Sequence, residues 1–397
     1  MKVLLLSDWY SPAVNGVVSS VKTLRRGLEA QGHDVRVLAT GSERATTFDG
    51  DVYRIASLGM GALYPMARLG KPLDRGVLES ILGWAPDVIH SHTEFVAFVW
   101  ARRIADYLGV PHVHTYHTVY EDYTHYFSPS RKVGRAVAAK LTRKVLGGTD
   151  LVIVPTAKVE TLLRRYRLPL PIRVIPTGVD LERFTCAPEP TRSSSRPDLR
   201  QRLGVPDGTP VIVFVGRLAH EKNLAETFRH LGRLKHLDWR FVVVGDGPEA
   251  AHVRQLGASH GIADRVVFTG GVDPEVVSDF YRIGDVFVCS SRSETQGLTY
   301  IEALASGLPV LCRADPVLDG VVIDGVNGYQ YRTPHEFSEH MTDLLGDVAL
   351  RLTLAEGARA SALRFSEQVF AGSVSAAYDE AVGIVAARRH HRWGRAA

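Results

Sequence analysis

Asp285-Val-Phe-Val-Cys-Ser-Ser-Arg-Ser-Glu-Thr-Gln-Gly-Leu-Thr-Tyr-Ile-Glu302 is the stretch on which the fold turns. Its first six residues make an apolar run of strand length, and helical spacing is expected from Thr299 to Ser306. Between them Gln296-Gly297-Leu298-Thr299 reads as a polar turn. Strand, turn and helix in this order are the repeating unit of a parallel α/β sheet. At the carboxyl edge of such a sheet the first helix amides are free to meet an anion. Glu294 precedes the turn and Glu302 lies inside the helix, so a carboxylate stands on each side of the anion site. Carboxylates accept from hydroxyls. The pattern fits a ligand with a diphosphate in the middle and a sugar at each end.

Short β-branched runs alternate with helical patterns along the rest of the chain, which predicts α/β architecture with both sheet faces covered. One series of strands is expected at 2–7, 35–39, 87–92, 112–117, 151–156 and 173–177. A second is expected at 211–216, 240–245, 265–269, 285–290, 309–312 and 328–331. With 397 residues there is chain enough for two cores. The expected division is 1–180 and 181–363, two doubly wound Rossmann-like domains with a ligand cleft at their carboxyl edges. Cys186-Ala-Pro-Glu-Pro-Thr-Arg-Ser-Ser-Ser-Arg-Pro197 reads as a linker near the join. Residues 364–397 carry a helical pattern (Val369, Phe370, Val374, Tyr378, Val382) suited to packing back on the first domain.

Composition excludes several classes. At 45% hydrophobic and 23% charged, the chain is neither disordered nor fibrous. Apolar runs such as Val211–Val215 fall far short of the ~20 residues that cross a bilayer. The apolar start Met1–Ser7 is broken by Asp8-Trp-Tyr-Ser-Pro12, so no signal peptide is expected. Cys186, Cys289 and Cys312 have no metal-ligand spacing and make no disulfide framework, which points to a reducing cytoplasm. Asp49-Gly50-Asp51 mimics a metal-binding acidic pair but reads as an ordinary polar turn. A net charge of +4 is only mildly basic, and no nucleic-acid partner is expected.

Glu294 and Glu302, within Ser-Glu-Thr-Gln-Gly-Leu-Thr-Tyr-Ile-Glu, resemble the paired-glutamate signature of family four of the retaining glycosyltransferases, which have the GT-B fold. Gly216-Arg-Leu-Ala-His-Glu-Lys-Asn223 resembles the same family's basic element, and Asn15-Gly16-Val-Val18 its first glycine turn. The elements stand in family order over nearly the whole chain. The resemblance implies two facing domains and a nucleotide-sugar donor, with Glu302 on the ribose hydroxyls and Glu294 on those of the transferred sugar. Backbone around Gly297, Leu298 and Thr299 would meet the phosphates, with Gln296 beside them and Gly16 below. His117, at the end of the strand His112-Val-His-Thr-Tyr-His117, would approach the reacting sugar. His114 is expected in the core or behind His117. Gly216, Gly245 and Val272 would border the nucleotide; for the glycine turns at Gly245 and Gly270 a plain tight turn explains the residue equally well.

The chemistry agrees. A departing diphosphate gathers negative charge, which fixed cations and helix amides can stabilise. Arg217 offers a planar fork and Lys222 a compact charge, so neither a metal nor a cofactor is expected. The resemblance implies that the anomeric configuration is kept, and with no side chain read as a covalent nucleophile, front-face attack is expected, the leaving phosphate oxygen taking the acceptor's proton.

His114-Thr-Tyr-His-Thr-Val-Tyr-Glu-Asp-Tyr-Thr-His-Tyr126 resembles the bacterial 1,2-diacylglycerol 3-α-glucosyltransferases, which implies UDP-glucose as donor and a lipid acceptor near Tyr120, Tyr123 and Tyr126. An aromatic core cluster is the competing explanation. Residues 130–145 carry Arg131, Lys132, Arg135, Lys140, Arg143 and Lys144 with no acid. Val133, Val137, Leu141 and Val145 share one helical face, so the helix suits either an anionic membrane or a domain core. The tail Arg388-Arg-His-His-Arg-Trp393 adds charge and a ring. A peripheral protein on the inner membrane face is expected. Alternatives are a GDP-mannose-dependent α-mannosyltransferase acting on a phosphatidylinositol-type or other lipid, a nucleotide-sugar epimerase, and a membrane-associated sugar-binding scaffold.

Overall fold

The computed structural model describes all residues except 14, 42–44, 60–67, 71, 120, 122–130, 186–194 and 394–397. Two compact units emerge, Met1–Gly178 with Glu367–Ala397, and Val179–Ser366.

The first unit opens with β1 (Lys2–Ser7), buried after its first residue, and α1 (Gly16–Ala30). The Asn15 side chain caps α1 by accepting from the Val18 amide at 2.9 Å, while Val18, Val21, Leu24 and Leu28 turn inward. There follow β2 (Asp34–Thr40), β3 (Thr47–Asp49), β4 (Val52–Ile55), β5 (Ser57–Gly59), β6 (Arg68–Gly70), α2 (Arg75–Trp84) and β7 (Val88–Ser91). The unit continues with α3 (Val96–Leu108), β8 (His112–Thr115), α4 (Arg131–Leu146), β9 (Leu151–Val154), α5 (Ala157–Arg165) and β10 (Ile172–Val174). Its main sheet runs β10-β9-β8-β7-β1-β2-β4-β3, parallel except for β3. From β1 the chain builds outward through β2 and then crosses to β7 on the other side. The topological switch point of this sheet therefore lies between β1 and β7.

The second unit comprises α6 (Leu181–Phe184), α7 (Ser195–Arg202), β11 (Val211–Val215), α8 (Leu224–Leu231), β12 (Arg240–Val244), α9 (Ala250–Ser259) and β13 (Val266–Gly270). Next come α10 (Val277–Ile283), β14 (Val286–Cys289), α11 (Leu298–Ala305), β15 (Val310–Arg313), β16 (Gly328–Tyr331), α12 (Pro334–Gly346) and α13 (Val348–Ala362). All six strands are parallel in the order β13-β12-β11-β14-β15-β16, which puts the switch point between β11 and β14. β11 and β14 are buried throughout, as strands covered on both faces must be.

The sequence reading missed four short strands. β3 and β4 form an antiparallel hairpin whose turn is the Asp49–Asp51 segment, with Gly50 at φ 56°. β5 and β6 pair in a small sheet of their own. The expected strand at 112–117 stops at Thr115, so His117 lies beyond it. The Pro- and Ser-rich segment at 186–197, read as lying near the join, begins shortly after the change of unit, and its residues 186–194 lie outside the described residues. The chain passes into the second unit at Val179, whose amide donates to the Phe365 carbonyl at 2.8 Å, and Ser195–Arg202 is helical.

α14 (Glu367–Trp393) returns to the first unit. Phe370, Ala371, Val374, Ala377, Tyr378 and Ala381 enter its core, whereas Val369 and Val382 stay 49% and 40% exposed. Those two valines sit off the 370/374/377/381 stripe at ~100° per residue. By length and composition alone Glu367–Arg389 could cross a membrane; here its buried stripe completes a protein core.

Candidate active site

In the second unit the residues singled out from sequence gather on the carboxyl edge of one sheet. Gly216 and Arg217 follow β11, Gly245 follows β12, Val272 follows β13, and the Glu294–Glu302 segment follows β14. Gly245 is required by the backbone itself: a Cβ there would stand 2.0 Å from the Gly216 carbonyl oxygen. Val272 is half-buried against the unit's core.

At the switch point two loops are stitched together. The Arg292 amide and the Ser291 hydroxyl both donate to the Glu221 carbonyl at 3.2 Å, and the Asn223 amide group donates to the Ser290 carbonyl at 3.3 Å. This brings the Lys222 ammonium to 2.6 Å from Glu294 Oε1. Burial works against the Lys222 charge, but the adjacent Glu294 carboxylate more than offsets it and holds the ammonium above its ordinary range. Arg217 is exposed and has no ion pair among the described residues.

Gly297 stands at φ 79° and ψ 60° immediately before α11, and a Cβ there would lie 2.7 Å from Tyr300 Cδ2. Only glycine makes that turn without strain. No side chain caps α11, and among the described residues the Leu298 and Thr299 amides have no hydrogen-bond acceptor. Buried Gln296 precedes them. Glu302 Oε2 accepts from the buried Tyr281 hydroxyl at 2.8 Å, and burial raises the Glu302 carboxyl above its ordinary value despite that bond.

Sequence reasoning missed Glu226. Its buried carboxylate accepts from Arg292 and Arg313 at 2.5 Å each and from Asn223 at 2.7 Å, which holds its pKa down to about 2 against the opposing effect of burial. It ties α8 to the loop after β14 and to β15. Its two arginines lie 66 and 87 positions away, so no local pattern could have announced the contact.

In the first unit Gly16 is the exposed first residue of α1. At the switch point between β1 and β7, Asp8 accepts from the Thr93 hydroxyl at 2.6 Å and the Ala97 amide at 3.1 Å, and burial raises its carboxyl. Five histidines cluster on β7, β8 and the turns after them. His90 bonds the Tyr378 hydroxyl of α14 and the Thr115 hydroxyl, each at 2.7 Å. His112 and His114 share the Ser91 hydroxyl at 2.8 Å, and His92 Nδ1 lies 3.1 Å from His117 Nε2. His114 is fully buried behind them. Burial, then neighbouring His114, lowers His117 to about 3. Among the described residues no group of three or more His, Cys, Asp or Glu is arranged to hold a metal ion.

Comparison with known proteins places these two arrangements. The family described as Glycosyltransferase Family 4 matches residues 14–183, and Glycosyl transferases group 1 matches residues 195–361. An alpha-monoglucosyldiacylglycerol synthase of Streptococcus pneumoniae (strain ATCC BAA-255 / R6) is 34% identical over 348 residues, 87% of this chain and 78% of its own. The chain belongs to glycosyltransferase family 4. An Acholeplasma laidlawii protein of the same name is 32% identical over 392 residues, 95% of this chain and 96% of its own. A solved Anabaena protein, Alr3699/HepE in complex with UDP-glucose, superposes with a TM-score of 0.72 at 20% identity, over 96% of this chain and 100% of its own. That likeness shows the GT-B fold.

In this family 4 glycosyltransferase the basic helix α4 is turned differently from a simple core helix. Gly134, Ala138, Thr142 and Leu146 face inward, and the expected apolar face is exposed: Val133 57%, Val137 43% and Leu141 56%. Val145 alone of that set packs against the core. The buried stripe is thus rotated by one position from the expected one. Lys132, Lys140, Arg143 and Lys144 are exposed beside the apolar stripe, while Arg135 reaches Glu121 Oε2 at 3.3 Å. Tyr120, Tyr123 and Tyr126 lie outside the described residues, as does the Arg131 side chain. Arg388 and Arg389 are bonded back to Asp150 and the Gly109 carbonyl, so these two charges of the tail are engaged by the protein.

Proposed function

We propose that this glycosyltransferase moves glucose from UDP-glucose to diacylglycerol at the cytoplasmic face of a membrane, with retention and without a metal. The observation that carries the reading is the β11/β14 switch point, where Lys222 stands against Glu294 in the segment that leads into α11, whose Leu298 and Thr299 amides have no acceptor among the described residues. Such a site suits a diphosphate leaving group. Lys222, Arg217 and the amides of Leu298 and Thr299 would take the phosphates. Among the described residues Glu294 has Oε2 left for a hydroxyl of the transferred sugar, and Glu302 has Oε1 for the ribose. His117 would contact the sugar from the first unit.

In the proposed step the bond from the sugar's anomeric carbon to the phosphate oxygen breaks. The acceptor oxygen bonds that carbon on the same face, and the leaving phosphate takes the acceptor's proton. Fixed charges lower the barrier because negative charge grows on the diphosphate only as it departs.

The lipid acceptor is supported by the names of the two synthases, and the membrane by α4. An exposed Val133/Val137/Leu141 stripe beside four exposed cations suits an anionic bilayer, each basic residue near the surface contributing ~1 kcal/mol. The test incubates the protein with labelled UDP-glucose, UDP-galactose or GDP-mannose and diacylglycerol in mixed micelles containing EDTA. An α-glucosyl lipid from UDP-glucose alone is expected. Mannosyl lipid from GDP-mannose, or donor consumed with no lipid product, would replace the reading.

A further inference from the structure

We propose that His92 is a positioning residue that sets the tautomer of His117, so that His117 presents its Nδ1–H as a hydrogen-bond donor. The contact rests on geometry within the first unit; its catalytic meaning rests on the glycosyl-transfer reading given above.

His92 is held on every side. Its backbone amide donates to the Leu6 carbonyl at 2.8 Å, which fixes it beside the end of β1. Its ring lies between two others, with the His90 centroid at 4.1 Å and the His117 centroid at 5.4 Å, the latter pair inclined by only 26°. His90 is anchored in turn through both ring nitrogens, to Tyr378 and Thr115. A chain of contacts therefore runs from α14 through His90 and His92 to His117, the last link being the edge-to-edge hydrogen bond between ring nitrogens.

At 3.1 Å, Nδ1 of His92 and Nε2 of His117 share one hydrogen, so one ring donates and the other accepts. The other nitrogen of His92 decides which. Nε2 of His92 is closed off from solvent and has no partner among the described residues. A proton there would leave a buried N–H without an acceptor, which folded proteins avoid more strictly than a bare lone pair. The proton accordingly sits on Nδ1 of His92 and is donated to His117 Nε2. His117 must then carry its own proton on Nδ1, which has no partner among the described residues. Burial first, and then the neighbouring histidines, keep both rings neutral. A neutral His117 in this tautomer gives a hydrogen bond to an oxygen. It offers no lone pair at Nδ1 to take an acceptor's proton, which leaves that proton to the departing phosphate.

The full chain labelled with 15N-histidine tests this near neutral pH through two-bond proton–nitrogen correlations, with His117→Asn identifying the His117 signals. The expected result is a pyridine-type Nε2 and a pyrrole-type Nδ1 on His117. A pyrrole-type Nε2 overturns the proposal. His92→Asn places an amide donor near the Nδ1 position and should keep the tautomer. His92→Asp can only accept and should move the His117 proton to Nε2. Turnover should then fall on the order of tenfold or more in the aspartate variant and stay within about threefold of wild type in the asparagine variant. The same His117 tautomer in both variants also overturns the proposal. Should neither variant fold, the wild-type spectrum decides. It also decides if no glycosyl transfer is found, so the two readings fail separately.

Discussion

Replacing Lys222 by methionine removes one charge from a pair whose side chains are only 18% and 9% exposed. At the observed 2.6 Å and an effective dielectric of about 20, the attraction is ~6 kcal/mol, most of it offset by the cost of drawing both ions out of water. The expected loss on truncation is about 2–4 kcal/mol, because the variant leaves the Glu294 carboxylate buried and alone. Lys222→Met with Glu294→Gln should recover about 1–3 kcal/mol of that loss. The pH dependence follows from the raised Lys222 pKa. Its contribution is whole below the unfolded value near 10.5 and is lost only as pH rises through the higher folded value. Wild type should therefore hold this contribution unchanged at pH 7.5. Urea-dependent amide exchange in β11 reads the second unit directly, at neutral and mildly acidic pH. Turnover should fall ~10²-fold or more in both the single and the double variant, since the double restores packing but not the cation. Single and double losses that add within ~0.5 kcal/mol would show that the pair is not coupled and refute the reasoning.

Gly297→Ala forces a Cβ into a left-handed turn and toward Tyr300; a stability loss of about 1–3 kcal/mol and weaker binding of UDP by calorimetry are expected. Leu141→Glu should leave thermal stability within about 0.5 kcal/mol because the residue is 56% exposed, yet reduce sedimentation with anionic vesicles. Unchanged vesicle binding would remove α4 as the docking surface. His112 and His117 have folded pKa values near 3, below the ordinary 6.5, so the unfolded chain binds more protons in between. Stability of the first unit should be whole above about pH 6.5 and fall progressively toward pH 3, which an acid titration by near-ultraviolet circular dichroism can follow. Retained packing at pH 3.5 would contradict the buried neutral histidines.

Much of this was legible in local pattern. The run Asp285–Ser290 ahead of Gly297 was enough to place a strand and a glycine turn before a helix, and α11 begins one residue before the expected start. Residues such as Val211–Val215 were readable as strands because a parallel strand is buried on both faces and so becomes uniformly apolar. The short hairpin strands β3 to β6 were not readable, since none carries the continuous apolar run that marks equally short buried strands such as Leu151–Val154. Glu226, Asp8 and His92 escaped for a different reason. Each gains its meaning from partners brought together by the sheet, and nothing in their own neighbourhoods distinguishes them.

What the sequence determined by itself was the alternation of strand and helix, the family motifs, and the order in which the site residues meet the sheet edges. All three are properties of nearest neighbours along the chain. Only the tertiary structure decided that Lys222 faces Glu294, that His92 lies between His90 and His117, and that α4 buries Gly134 and Ala138 while leaving Val137 outside. A helical period says that a stripe exists; which stripe goes inward depends on how closely the neighbouring backbone can approach, and that is settled by packing.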